Sequence, residues 1–126
     1  MGLDMYAYKV DKKYKTPAIV TGDIENCDEI HYWRKNRFMH NLIETIYRKK
    51  GGEGEFNLVY VELDSSDIDF IKNAVLDGTI GGMDAPGYFF GNQMYTDEDR
   101  EYDMKFVTKA RAAIKDGYKV YYLPWW

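Results

Sequence analysis

Short stretches of alternating hydrophobicity and longer stretches of helical periodicity follow one another along this chain, with only brief turns between them. The first stretch, 3–10, places Leu3, Met5 and Ala7 on one side of a strand and Tyr6 and Tyr8 on the other. Three later stretches repeat apolar residues every three to four positions, which predicts amphipathic helices. A chain of this kind folds as strands and helices packed in layers around a core.

Turn and cap residues divide the chain into elements. We expect strands over 3–10, 17–21, 56–63 and 118–123, and a short additional strand over 87–91. The first helix is predicted to start at residue 28 or 29 and to end near 50, before two glycines. The segment Asp64-Ser65-Ser66 is predicted to supply the N-cap of the second helix, and Thr96 is predicted to cap the third. The order is β-β-α-β-α-(β)-α-β, an α+β fold with three helices on a mixed or mostly antiparallel sheet of four to five strands.

Length and composition favour one folded domain, 1–126, in a reducing compartment. With 126 residues the chain can bury a core without disulfides, and its single cysteine, Cys27, excludes an internal one. We expect no signal peptide and no myristoylation, and the sequence contains no apolar run long enough to cross a bilayer. We therefore expect a cytoplasmic protein without a membrane partner.

Charge and aromatic content limit the partners. The net charge of −4 argues against general nucleic-acid binding, which requires many phosphate contacts. The chain has 12 Tyr, 6 Phe and 3 Trp, which suit either a tyrosine-rich shell around the core or an aromatic site for a ligand or partner. The neighbouring Trp125 and Trp126 are expected to pack over a core edge or against another subunit, so a homo-oligomer is one alternative.

One flank of the predicted first helix carries an unusual polar set: Trp33, Asn36, Arg37, His40 and Glu44. At helical spacing, the imidazole of His40 is a candidate general base that Glu44 orients, or a donor to an anionic ligand. The alternative is ordinary helix surface chemistry, since pairs four residues apart commonly interact.

Basic residues gather at the start of the same helix. Arg34, Lys35 and Arg37 are candidates to hold phosphate groups, with a solvated basic face as the alternative. Three aromatic residues in the glycine-rich 78–95 loop are candidates to stack on a base: Tyr88, Phe89 and Phe90. The expected partner is a small anionic ligand or a host protein.

Cofactor and metal motifs are absent from the sequence. No HxxxH or CxxC spacing occurs, and the glycine-rich segments match neither the P-loop nor the dinucleotide fingerprint. No Gly-x-Ser-x-Gly elbow occurs either. We expect no cofactor and no metal, and the absence of a complete catalytic set favours binding over catalysis.

Four blocks of residues carry a family resemblance. They are Met1 to Tyr6, then Tyr32 to Lys35 with His40, then Gly87 to Gly91, and last the aromatic residues Tyr121, Tyr122 and Trp126. On these blocks the chain resembles an uncharacterised family of small bacteriophage and prophage proteins. It departs from the pattern at Arg37, where members carry Asn; here the amide stands one position earlier, at Asn36.

The resemblance implies a phage accessory protein, and such proteins often act against host defences. Members are sometimes labelled phosphoglycerate kinase, but 126 residues cannot supply the two large domains and nucleotide site of that enzyme. Three functions stay open: a module that captures a nucleotide-like ligand or a host protein, a small hydrolase or nuclease using His40, and a structural homo-oligomer.

Overall fold

The computed structural model describes residues 2–82 and 94–126 and contains a five-stranded antiparallel sheet and three helices. The strands are β1 (Asp4–Asp11), β2 (Ile19–Val20), β3 (Cys27–Arg34), β4 (Tyr60–Leu63) and β5 (Tyr118–Trp125). The helices are α1 (Arg37–Lys49), α2 (Ser65–Leu76) and α3 (Asp97–Lys115), with short 3-10 turns at Lys12–Tyr14 and Thr79–Gly82. The predicted α+β class is confirmed.

The sheet has the strand order β2-β4-β5-β1-β3, so the C-terminal strand lies at its centre. All four neighbouring pairs are antiparallel. β1 pairs along its whole length with β5, from Asp4 opposite Trp125 to Asp11 opposite Tyr118. The two ends of the chain therefore form the middle of the sheet.

The helices cover one face of the sheet. Met5 and Ala7 of β1 face the helices and join one core cluster with the buried residues of all three helices. A second cluster lies on the opposite face, and among the described residues it includes no helical residue. Val10, Tyr60, Tyr121 and Leu123 are its buried members. The alternation predicted for 3–10 thus separates the two faces as expected.

Local signals define two of the helices. Asp64 and Thr96 cap α2 and α3, and each takes part in a reciprocal capping box with the residue three positions later. These pairs satisfy backbone N–H groups that otherwise lack a partner at a helix start. Both predicted caps are confirmed.

The predicted start of the first helix is wrong. Residues Cys27–Arg34 form β3, and the helix begins only at Arg37. β3 pairs with β1, and a register irregularity near Ala7 and Tyr8 breaks the two-residue alternation that marks a strand. The element order among the described residues is therefore β-β-β-α-β-α-α-β. The strand predicted over 87–91 lies outside the described residues.

Candidate functional site

A sharp turn joins β3 to α1. Lys35 has a φ of 59° and its amide donates to the carbonyl of Leu3 at 2.7 Å. Asn36 then caps the helix, because its side-chain oxygen accepts a hydrogen bond from the amide of Met39 at 3.0 Å. This turn brings Arg37 into the first turn of α1.

A buried carboxylate lies below this turn. Asp103 of α3 is fully buried, and its Oδ1 accepts from Trp33 Nε1 at 2.8 Å and from Asn36 Nδ2 at 3.0 Å. The hydroxyl of Tyr95 donates to its other oxygen. Burial raises the pKa of Asp103 to about 6, although these three donors each favour the ionised form. The network ties β3 and the start of α1 to α3.

Trp33 is a core residue. Only 2% of its surface is exposed, and its ring packs edge-on against Phe106, with centroids 4.7 Å apart, and Tyr122, at 6.0 Å. The ring of His31 also packs against the indole of Trp33, with centroids 4.6 Å apart. An indole enclosed in this way has no free face for a ligand, so its role is to fill the core and to donate to Asp103.

The polar face of α1 borders a cleft of about 360 Å³. The segment 54–56 and the C-terminal tryptophan form its other walls. This volume lies within the range of small-molecule sites. The lining residues are Arg37, His40, Asn41, Glu44, Arg48, Gly54, Glu55, Phe56 and Trp126.

His40 lies at the inner wall of the cleft and is almost fully buried. Its Nδ1 is 2.8 Å from the hydroxyl of Tyr122, and its ring stacks on Phe56 with centroids 5.2 Å apart. Burial is the larger cause that lowers the pKa of His40 to about 4, and the positive charge of Arg37 is the smaller one. The imidazole is therefore neutral at pH 7.

Glu44 does not orient His40. Its carboxylate pairs with Arg48 at 2.8 Å, one helical turn further on, while the imidazole is held by the hydroxyl of Tyr122. Arg48 also donates to the carbonyl of Gly52 at 3.3 Å. The mouth of the cleft thus carries an ordered guanidinium–carboxylate pair instead of a His–Glu pair.

Hydrogen bonds fix the tryptophan wall. Trp126 Nε1 donates to the carbonyl of Phe56 at 2.9 Å. Its backbone N–H donates to Asn57 Oδ1 at 2.9 Å, and Asn57 Nδ2 donates back to its carbonyl at 2.8 Å. Phe56 is itself stacked between His40 and Tyr47. The expectation that Trp126 packs over a core edge is confirmed, whereas Trp125 is 56% exposed.

The structure separates the site residues that the sequence grouped together. Arg37, His40 and Glu44 line the cleft. Arg34 ends β3 and Lys35 occupies the turn, both exposed and neither lining it. Trp33 and Asn36 belong to the Asp103 network. The predicted aromatic contributors Tyr88, Phe89 and Phe90 lie outside the described residues.

Sequence reasoning missed several residues of the cleft and of the network below it, and two of them, Arg48 and Asp103, carried a readable signal. Arg48 follows Glu44 by four residues, so its place on the same helix face was readable from spacing. Asp103 stands three and four positions before Phe106 and Val107, on the apolar stripe of α3, and that position indicates burial. Phe56 and Trp126 reach the cleft from segments that carry no local signal for it.

Within residues 2–82 and 94–126, no three His, Cys, Asp or Glu side chains cluster in a way that would hold a metal ion. No helix in the same ranges is long and apolar enough to span a membrane.

Comparison of the chain with models of protein families, with curated proteins and with solved structures found no match. The resemblance to a phage protein family stays a prediction.

Proposed function

We propose that this protein binds a small anionic ligand with a planar ring, of the nucleotide class, in the cleft beside α1. The observation that carries the proposal is the composition of its walls. Two guanidinium groups, from Arg37 and Arg48, and a buried neutral imidazole lie on the helix side, and the indole of Trp126 lies across from them. Ligand sites combine an apolar wall with a few polar groups that fix orientation in this way.

The charges of the cleft suit a ligand that carries both an anionic group and donors. Guanidinium groups bind phosphate and carboxylate oxygens through paired N–H groups. Arg37 is close enough to His40 to lower its pKa, so its charge acts on the interior of the cleft. The carboxylates of Glu44 and Glu55 accept hydrogen bonds from hydroxyl or amino groups, which a sugar or a base supplies.

The aromatic part of the site is Trp126. Its indole is half-buried, and its N–H is already used by the carbonyl of Phe56, which holds the ring in one orientation. A ring held at the wall of a cleft contributes apolar area to the contact with a planar ligand. Phe56 cannot serve in this way because His40 and Tyr47 stack on its faces.

The biological role follows from the phage resemblance as part of the same proposal. A phage accessory protein that captures a nucleotide-like host signal in the cytoplasm removes that signal from host defence. The alternative is that the same cleft captures a host protein instead of a nucleotide-like ligand.

Calorimetric titration with cyclic and linear nucleotides tests the proposal, with Arg37→Gln as the variant. Loss of a charge-assisted contact is expected to weaken binding by about ten- to a hundredfold. Arg34→Gln is the matched control, since Arg34 is exposed at the end of β3 and does not line the cleft. If no nucleotide binds, the nucleotide form fails and the host-protein form remains. If both variants weaken binding equally, the cleft is not the site.

The hydrolase alternative depends on His40, which borders the cleft. A base with a pKa of about 4 accepts a proton weakly at pH 7, and its Nδ1 is engaged by Tyr122. Catalysis is therefore less well supported than binding. Turnover of nucleotides or RNA that is lost in His40→Ala, while the variant stays folded, would favour the alternative.

A further inference from the structure

The face of the sheet opposite the helices carries a row of tyrosines. Tyr6 of β1 lies opposite Tyr32 of β3 and opposite Leu123 of β5, and Tyr8 lies opposite Tyr121. Partners across an antiparallel pair share one face, so these side chains project together. Tyr6 contacts Tyr32 at 5.2 Å and Tyr8 at 6.1 Å, measured between ring centroids.

Part of this face is open. Tyr6, Tyr8 and Tyr32 are only half-buried, and the side chain of Trp125, opposite Asp4 on the same face, is 56% exposed. We name these four aromatic residues the tyrosine face. Among the described residues its neighbours on this side are loop and strand residues such as Ile24 and no helix.

A second exposed apolar side chain lies at the border of the tyrosine face. The amide of Leu58 donates to the carbonyl of Pro124 at 2.8 Å, which brings Leu58 beside Trp125. Its side chain is 50% exposed and its φ is 56°. Bulky residues rarely adopt this left-handed conformation. Leu58 and Trp125 are thus two exposed apolar residues on segments that this hydrogen bond joins.

Three carboxylates and two basic side chains of the described strands project on the face of the sheet that carries the tyrosine face: Asp4, Glu29 and Glu62, against Arg34 and Lys119, whose ammonium group donates to the carbonyl of Thr16. Asp4 accepts a hydrogen bond from the hydroxyl of Tyr32, and Glu29 lies opposite Tyr8. Burial is the largest cause that raises the pKa of Tyr6, and the negative charges of Asp4 and Glu29 raise it further. The basic residue of this face on β3 is Arg34, opposite Asp4 at the end of the strand.

We propose that the tyrosine face is an interaction surface for a partner protein segment rich in arginine or lysine. Guanidinium and ammonium groups bind the faces of tyrosine and tryptophan rings, and Asp4 and Glu29 supply the opposite charge at the rim. This surface is separate from the α1 cleft, so it adds a second binding function that does not depend on the first.

The same charges disfavour two other occupants. Phosphate groups of a nucleic acid would meet the carboxylates of Asp4 and Glu29. In a two-fold dimer that packs two tyrosine faces together, each copy would bring the same carboxylates toward its partner, and like charges oppose such contacts.

Fluorescence anisotropy with a labelled nona-arginine peptide tests the inference, with a Gly-Ser peptide of equal length as the neutral probe. The double variant Asp4→Asn and Glu29→Gln keeps the shape of both side chains and removes two charges. It is expected to weaken peptide binding by about tenfold. The control double variant Glu98→Gln and Glu101→Gln makes the same change in net charge on exposed residues of α3 and is expected to change binding less than twofold.

A third variant, Tyr6→Leu, keeps an apolar side chain but removes the ring, and it is expected to weaken binding of the peptide severalfold. The inference is overturned if nona-arginine does not bind, if the Gly-Ser peptide binds equally well, or if both double variants weaken binding to the same extent. Light scattering adds one more outcome. A dimer mass that returns to the monomer value in Tyr6→Leu would make a second copy of this chain the occupant and would reject the basic segment.

Discussion

Replacement of the buried Asp103 by asparagine is expected to stabilise the protein at neutral pH. The carboxylate is fully buried, and its described partners are the indole of Trp33, the amide of Asn36 and the hydroxyl of Tyr95. The asparagine side chain of this variant can keep its oxygen toward Trp33 and Asn36 and turn its amide toward Tyr95, whose hydroxyl oxygen accepts. The substitution thus removes a buried charge and keeps the hydrogen bonds.

The size of the effect follows from the pKa. Burial raises the pKa of Asp103 from 3.8 to about 6, so between these values the native state holds a proton that the unfolded state has lost. Stability from this group is therefore present below pH 4 and is lost as the pH rises through 6. A difference of about two pKa units corresponds to about 3 kcal/mol of the free energy of unfolding.

Urea unfolding of the wild type and of Asp103→Asn at several pH values from 4 to 7 measures this effect. The free-energy difference between the two proteins should shift by about 2 kcal/mol in favour of the variant over that range, which covers most of the full effect. Taking the difference cancels the titration of all other groups. Asp103→Ala is the contrasting variant, because it leaves the buried indole N–H of Trp33 without its acceptor, at a cost of roughly 1–3 kcal/mol, and also removes the acceptor of two half-buried donors. A difference that stays constant with pH would refute the reasoning.

Three further substitutions test other parts of the fold. Trp33→Phe removes the donor to the buried carboxylate and should cost roughly 1–3 kcal/mol of stability without changing nucleotide affinity; reduced affinity in a folded variant would contradict its structural role. Gly52→Ala places a Cβ 2.3 Å from the ring of Tyr47 and should lower the melting temperature, unlike Gly22→Ala, which has open space. Equal melting temperatures would contradict this packing. Burial and two nearby lysines lower the pKa of His31 from 6.5 to about 4, so stability falls as the pH drops through this range. His31→Gln should flatten that fall in urea unfolding, and an unchanged slope would contradict it.

Local rules predicted the elements that local interactions define. The caps at Asp64 and Thr96, the alternation along β1 and the helical stripe of α3 were readable because the groups that interact are within a few residues of each other. Arg37 and His40, three positions apart on α1, were likewise predicted to share one helix face, and both line the cleft.

The wrong prediction of a helix over 27–34 shows the limit of rules based on near neighbours. Cys27–Arg34 is a strand because it pairs with β1, which lies far away in sequence, and its irregular register hides the two-residue alternation. Its apolar residues continued the stripe of α1, so periodicity merged the two elements. The consequence for function is direct, because Trp33 moved from the predicted binding flank into the core.

The sequence by itself determined the fold class, the three helices and the helix face that carries Arg37 and His40, since these depend on contacts between near neighbours. Only the tertiary structure decided that Phe56 and Trp126 complete the cleft and that Asp103 is buried under the start of α1. It also decided that the tyrosines of β1 and β3 form one open surface. The physical reason is that strand pairing and core packing join residues that are distant along the chain, and no local periodicity records which of them meet.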